Sequence, residues 1–340
     1  MLKNNCEENI MPDKEIISKG FVDMPVDTSL NLVDEINRMR KEKNAIILAH
    51  YYQTSDIQDI ADFVGDSLQL SQKSAKTSAD IIVFAGVHFM AETAKILSPE
   101  KKVLIPDLNA GCSLAESCKP EDFKKFLEQY PGYTVISYVN TSAEIKALTD
   151  IACTSSNAMQ IVSSLPYDEK IIFAPDKNLG DYIKKVTGRD MVIWQGACHV
   201  HEEFSLEKII ELKRLNPDAR IIAHPECEKP ILLIADHIGS TSSLLKYTAE
   251  DSAKVFIVAT ESGIIHQMKK ANPEKEYIPA PPNDSTCACS ECNFMKLITL
   301  KKIYNCLKYE MPEVNVREEI RIKAVRSIQN MLDISERLGL

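Results

Sequence analysis

Residues 45–86, AIILAHYYQTSDIQDIADFVGDSLQLSQKSAKTSADIIVFAG, decide the fold, because the same layout recurs twice further on. The second copy is YTVISYVNTSAEIKALTDIACTSSNAMQIVSSLPYDEKIIFAP, residues 133–175, and the third is ARIIAHPECEKPILLIADHIGSTSSLLKYTAEDSAKVFIVAT, residues 219–260. Each opens on a short apolar run rich in Ile or Val, the signature of a buried parallel strand. Each run ends in a polar pair at i and i+2: His50 and Tyr52, Tyr138 and Asn140, His224 and Glu226. Seventeen residues after the first member of each pair stands a hydroxyl, at Ser67, Ser155 and Thr241, in a small polar stretch that opens a helical pattern. A second apolar run follows (IIVFAG, KIIFAP, VFIVAT), and a third comes later (KVLIP, DMVIWQG, KEYIPA).

A period repeated three times marks a repeat architecture. Strand–helix–strand alternation implies right-handed crossovers and a small parallel sheet in each unit. Ligands of such sheets bind beyond the carboxyl ends of the strands, where the polar pairs lie. The fold class expected is therefore α/β, with three homologous three-layer α/β/α domains in pseudo-threefold array, their polar ends turned to one shared site. The domain limits expected are an N-terminal arm at 1–28, a first repeat at 29–111, a second at 112–197 and a third at 198–292. Residues 293–340 carry two amphipathic helical patterns split near Pro312 and are expected to pack back on the first repeat.

The cysteines follow the same period. Cys112 comes after VLIPDLNAG, Cys198 after MVIWQGA, and Cys287, Cys289 and Cys292 after YIPAPPNDST. One cysteine per repeat on the loops facing the shared site suits an iron–sulfur cluster, which is normally held by thiolates. Three ligands leave one iron open, and an open metal acts as a Lewis acid. The C-x-C-x2-C run at 287–292 also suits zinc or a labile disulfide. Cys6, Cys118, Cys153, Cys227 and Cys306 have no such placement and read as buried small apolar residues.

Bulk properties narrow the class. The 340-residue chain carries a net charge of −9, so bulk electrostatics do not favour a nucleic-acid partner, and an anionic substrate has to be held by local groups. The polar, acidic start MLKNNCEENIMPDKE does not read as a signal peptide, and no apolar run approaches the roughly 18–20 residues that span a bilayer. A cytoplasmic protein without membrane association is expected. Ten cysteines in a reducing compartment point to metal, redox or burial roles before a disulfide framework.

The segments AHYYQ, GDSLQLS, AGVHFMAETAKIL, AGCSLAES, SYVNTSAEIKALTDIACTSSNA, GACHVHE, AHPEC and GSTS, with the cysteine run before FMKLITL, together resemble the quinolinate synthase family over about residues 30–310. The resemblance implies condensation of iminoaspartate with dihydroxyacetone phosphate to quinolinate, phosphate and water in NAD biosynthesis. It implies a central [4Fe–4S] cluster with three Cys ligands, and L-aspartate oxidase or aspartate dehydrogenase as supplier of iminoaspartate. Carried over by motif, the ligands are Cys112, Cys198 and Cys292. The last is preferred because the family's ligand precedes an x-aromatic-Met step, here Asn293-Phe294-Met295 with Asn293 in place of the usual proline. The C-x-C-x2-C spacing departs from the C-x2-C-x2-C of members with extra cysteines, so no Cys289–Cys292 or Cys287–Cys289 disulfide is carried over.

The matching site residues are His50, Tyr52, Ser67, Tyr138, Asn140, Ser155, His201, His224, Glu226 and Thr241. Their chemistry assigns roles. Hydroxyls at helix N-termini hold carboxylate or phosphate, and His50, His201 and His224 donate hydrogen bonds and move protons. Glu226 and Tyr52, with His224, are the acid–base candidates, and Tyr138 and Asn140 orient the diacid. His88 and Glu92 are expected just behind this ring. Two other readings compete. An iron–sulfur hydro-lyase would use a C-x2-C pair with a distant third cysteine. A non-catalytic cysteine-rich metal or redox sensor would leave the three polar pairs unexplained.

Overall fold

The apolar runs do become parallel strands, but there are four per repeat instead of three. The structure is a computed structural model that describes residues 19–284 and 291–340. The first repeat contains β1 (Ala45–His50), β2 (Phe63–Gly65), β3 (Ile81–Ala85) and β4 (Lys102–Leu104). The second contains β5 (Thr134–Tyr138), β6 (Ile151–Cys153), β7 (Ile171–Ala174) and β8 (Met191–Ile193). The third contains β9 (Arg220–Ala223), β10 (His237–Ile238), β11 (Val255–Ala259) and β12 (Glu276–Pro279). The three sheets have one topology: β2-β1-β3-β4, β6-β5-β7-β8 and β10-β9-β11-β12, every pairing parallel. The α/β class with three small parallel sheets is as expected.

The unforeseen strands, β2, β6 and β10, are edge strands of two or three residues, too short for periodicity to reveal. An aspartate fixes each one. Asp62, Asp150 and Asp236 each accept a hydrogen bond through Oδ2 from the backbone N–H of Ile47, Val135 and Ile221, at 2.8 Å in all three cases. Each returns its own N–H to the carbonyl of that same residue. The carboxylate thus occupies the rung that a longer edge strand would have filled. We expect Asp150→Ala to leave the Val135 N–H unpaired and to lower stability by about 1–3 kcal/mol. Urea unfolding checks this, and an unchanged midpoint would contradict it.

Each central strand ends where its polar pair begins. His50 and Tyr138 are the last residues of β1 and β5, and His224 follows β9 directly. The next helices bring the repeated hydroxyls back to the same end. Ser67 and Thr241 are the first residues of helices Ser67–Lys76 and Thr241–Glu250. Ser155 lies instead in a turn ahead of helix Ala158–Ser164, so the second repeat departs from the expected helix N-terminus.

Repeats one and two share a continuous apolar core that includes Ile47, Phe84, Ile136, Phe173 and Ile328. The third sheet has separate apolar clusters on its two faces, around Ile257 and around Phe256. Gly263 marks a close approach between repeats one and three, since a Cβ there would come within 2.8 Å of the Tyr52 carbonyl carbon and 2.9 Å of the Gln53 oxygen.

The C-terminal segment corrects the expectation that all of 293–340 packs on the first repeat. Helix Leu300–Tyr309 does lie against Leu32–Glu42 and β3. The longer helix Glu318–Arg337 instead packs mainly on Ala143–Lys146 and β6 of the second repeat, while also touching His88–Leu97 of the first. Its apolar stripe of Ala324, Ile328, Met331 and Ile334 buries in the core those two repeats share. Ser327 Oγ donates to the Lys146 carbonyl at 2.9 Å, and Asn157 Nδ2 donates to Ser335 Oγ at 2.9 Å. Of the arm expected at 1–28, residues 1–18 lie outside the described residues, and 19–28 form no helix or strand. No described helix is long and apolar enough to cross a membrane.

Candidate functional site

Strand ends and helix starts from all three repeats converge on one cavity of about 660 Å³ free of protein atoms. All thirteen residues named from the sequence line it: His50, Tyr52, Ser67, Cys112, Tyr138, Asn140, Ser155, Cys198, His201, His224, Glu226, Thr241 and Cys292. Among the described residues no Lys or Arg does, so an anion here is met by hydroxyls, imidazoles and backbone N–H groups.

Local geometry fixes two of the imidazoles. His50 Nδ1 accepts from the Tyr52 N–H at 3.2 Å, and His224 Nδ1 accepts from the Glu226 N–H at 3.3 Å. The i, i+2 polar pair is thus a turn in which the histidine caps the next residue but one. Each ring must then carry its proton on Nε2. Burial pushes both imidazoles down to about 3, so both are neutral donors at physiological pH. His224 Nε2 lies 3.1 Å from Ser155 Oγ and donates to it.

Glu226 is the centre of the polar network. It is 3% exposed. Tyr138 donates its hydroxyl to Oε1 at 2.7 Å, and His201 Nδ1 stands 3.1 Å from Oε2. Burial alone would raise the carboxyl, but the His201 imidazole and the Tyr138 hydroxyl outweigh it and hold the group below the usual carboxylate range. The phenols move the other way. Burial, reinforced by the Glu226 charge, raises Tyr52 and Tyr138 well above the usual tyrosine value. The Tyr52 hydroxyl shares a 2.7 Å hydrogen bond with Thr260 Oγ1, which also sits 3.0 Å from His201 Nε2. Two buried polar atoms in this ring lack a hydrogen-bond partner, Asn140 Oδ1 and His201 Nδ1. Both offer themselves to a ligand.

The cysteines come one from each loop that follows a fourth strand. Cys112 and Cys198 are the N-caps of the short helices Ser113–Glu116 and His199–Glu202. Cys292 precedes the 3₁₀ turn Met295–Leu297. Burial raises all three thiols, Cys112 to about 12, and Cys112 lies within electrostatic reach of both Cys198 and Cys292. Three converging half-buried thiols beside unpaired polar atoms fit a metal cluster, because a metal supplies the positive charge that thiolates need there. Cys287 and Cys289 lie outside the described residues, as does Cys6. Cys118, Cys153, Cys227 and Cys306 are buried away from the cavity wall, as small apolar residues are.

Four neighbours escaped the sequence reading. Glu261, fully buried, accepts from the Cys292 N–H at 3.0 Å and pairs with Lys296 at 2.8 Å. Ser113 and His199, each next to a cysteine, join side chains at 2.7 Å. Asp66 Oδ2 accepts from Ser156 Oγ at 2.7 Å and Ser242 Oγ at 2.5 Å, tying the three repeats together beside the hydroxyls. A search for polar residues adjacent to each repeated hydroxyl or cysteine would have found three of them. Glu261 is matched only by Asp176, two residues beyond β7 as Glu261 is beyond β11, while the first repeat has Val87 at that place. His88 and Glu92 lie outside this cavity. Glu92 caps Ala143 N–H across the first and second repeats at 3.1 Å, with His88 Nδ1 3.8 Å from it.

A family model described as Quinolinate synthetase A protein matches residues 34–333. A protein of Microcystis aeruginosa named quinolinate synthase is 61% identical over 305 residues, covering 90% of this chain and 95% of its own. Namesakes from Rippkaea orientalis and Chloroherpeton thalassium are 59% and 57% identical, covering 90% and 91% of this chain and 94% and 96% of theirs. A match of that extent spans all three repeats and every residue of the cavity wall, and the chain belongs to the quinolinate synthetase A family of enzymes.

Proposed function

We propose that the cavity condenses iminoaspartate with dihydroxyacetone phosphate, giving quinolinate, phosphate and water for NAD biosynthesis. The observation that carries this reading is the convergence of three thiols, three polar pairs and three hydroxyls on one cavity that, among the described residues, has no lysine or arginine in its wall. Family membership supports it. Cys112, Cys198 and Cys292 would hold a [4Fe–4S] cluster, which when bound supplies an open iron as Lewis acid.

The chain's own residues account for binding and proton movement. Ser67, Ser155 and Thr241, with the Nε2–H groups of His50 and His224, hold the carboxylate and phosphate oxygens. Asn140 Oδ1, which has no donor of its own, accepts from the substrate nitrogen. Glu226 is ionised and acts as the base that removes a carbon-bound proton during tautomerisation. His201, 3.1 Å away, receives that proton or returns it. Tyr52 is protonated and donates to a departing hydroxyl. The near-complete burial of His50, His201, His224 and Glu226 keeps bulk water from the imine, which hydrolyses readily. For the same reason we place an iminoaspartate supplier, L-aspartate oxidase or aspartate dehydrogenase, beside this enzyme in the cytoplasm.

Anaerobically reconstituted protein, given dihydroxyacetone phosphate and iminoaspartate generated in situ, should form quinolinate detectable by mass and ultraviolet absorbance. Fully loaded protein that consumes neither compound would contradict the proposal.

A further inference from the structure

We propose that, in the chain without its cluster, Cys198, His201 and Glu226 bind one zinc ion, and that this ion competes with cluster assembly. One thiol, one imidazole and one carboxylate converge here, with every pair of ligand atoms within 4.8 Å. His201 Nδ1 and Glu226 Oε2 are 3.1 Å apart, close to the roughly 3.3 Å between two light-atom ligands of tetrahedral zinc. A sulfur and a nitrogen ligand of such a site lie roughly 3.5 Å apart, so about an ångström of side-chain movement brings the Cys198 thiol in. Local structure favours that approach, since Cys198 caps the turn carrying His201 and its carbonyl accepts the His201 N–H at 3.1 Å.

Two further observations point to a ligand. His201 is 2% exposed, and its Nδ1 has no hydrogen-bond partner. The outer contacts are those a metal site uses to orient its ligands. Thr260 Oγ1 sits 3.0 Å from His201 Nε2, and the Tyr138 hydroxyl holds Glu226 Oε1 at 2.7 Å. Three protein ligands leave a fourth position for water. His224 is not a fourth ligand through Nδ1, which is taken by the Glu226 N–H.

That the zinc competes rests on Cys198 also being a cluster ligand. That it binds does not. The test is anaerobic titration of the full, cluster-free chain with Co²⁺, whose spectrum reports geometry and thiolate count, followed by displacement with Zn²⁺. One Co²⁺ per chain is expected, tetrahedral, with the charge-transfer intensity of a single thiolate. The Cys112→Ser/Cys292→Ser double variant and Cys118→Ser should keep this spectrum. His201→Ala and Glu226→Gln should weaken binding by at least about tenfold. A spectrum of three thiolates, indifferent to His201→Ala and lost in the double variant, would overturn the site. So would Co²⁺ held at the 287–292 cysteines, shown by loss in Cys287→Ser/Cys289→Ser. With binding shown, one equivalent of Zn²⁺ should slow iron and sulfide incorporation. Unslowed incorporation would overturn the competition alone.

Discussion

Cys198→Ser should abolish cluster assembly, and Cys112→Ser and Cys292→Ser should do the same, whereas Cys118→Ser and Cys306→Ser should not. Reconstituted wild-type protein should carry about four irons per chain, and each of the first three variants close to none. The three thiols come from the loops that follow β4, β8 and β12, and among the described residues no other cysteine lines the cavity to fill a vacated position. Cys118 lies in a separate apolar cluster, and Cys306, though in the shared core, is off the cavity wall. Burial that raises the thiols also makes an alcohol a poor substitute, since serine at these sites would have to ionise against a still higher intrinsic cost. The Cys292 position has support of its own, with its N–H fixed by the Lys296-paired Glu261 carboxylate. Iron and sulfide analysis with the visible spectrum decides the matter. A full cluster in Cys292→Ser would move the third ligand to Cys287 or Cys289.

Glu226→Gln should retain the cluster and substrate affinity but lose about 10²–10⁴-fold in kcat, the usual worth of a positioned acid or base. The amide keeps the shape and still accepts the Tyr138 hydroxyl through its oxygen. Its nitrogen meets His201 Nδ1 as a donor, so neither buried neighbour is stranded. What is lost is the negative charge that His201 and Tyr138 stabilise. The split between kcat and KM separates this from misfolding, which would lower the cluster content as well. Wild-type turnover would remove Glu226 from proton transfer.

Much of the architecture could be read from the sequence because three independent copies repeat one pattern. The strand, polar pair and hydroxyl of each copy land on one cavity, and Cys112, Cys198 and Cys292 with them. The edge strands stayed hidden because two or three residues carry no periodicity, although Asp62, Asp150 and Asp236 mark them at matching positions. The long C-terminal helix was misplaced for a different reason. Its stripe of Ala324, Ile328, Met331 and Ile334 shows that one face is buried, but amphipathicity does not say against which repeat. Glu261 was illegible because the Lys296 and Cys292 N–H groups that hold it come from far along the chain, and only the fold brings them together. Tyr52 and Glu226 were visible as acid–base candidates, yet their opposite protonation states follow from burial and neighbours that a sequence does not display.

Three cysteines, and no fourth protein group, are proposed to hold the cluster facing these polar pairs. The most direct measurement is the Mössbauer spectrum of anaerobic, ⁵⁷Fe-loaded protein with and without pyridine-2,3-dicarboxylate. One iron in four should change its parameters on adding the diacid while the other three do not. Four irons that ignore the diacid would mean complete ligation by the protein, and the open-iron chemistry proposed for this cavity would have to be abandoned.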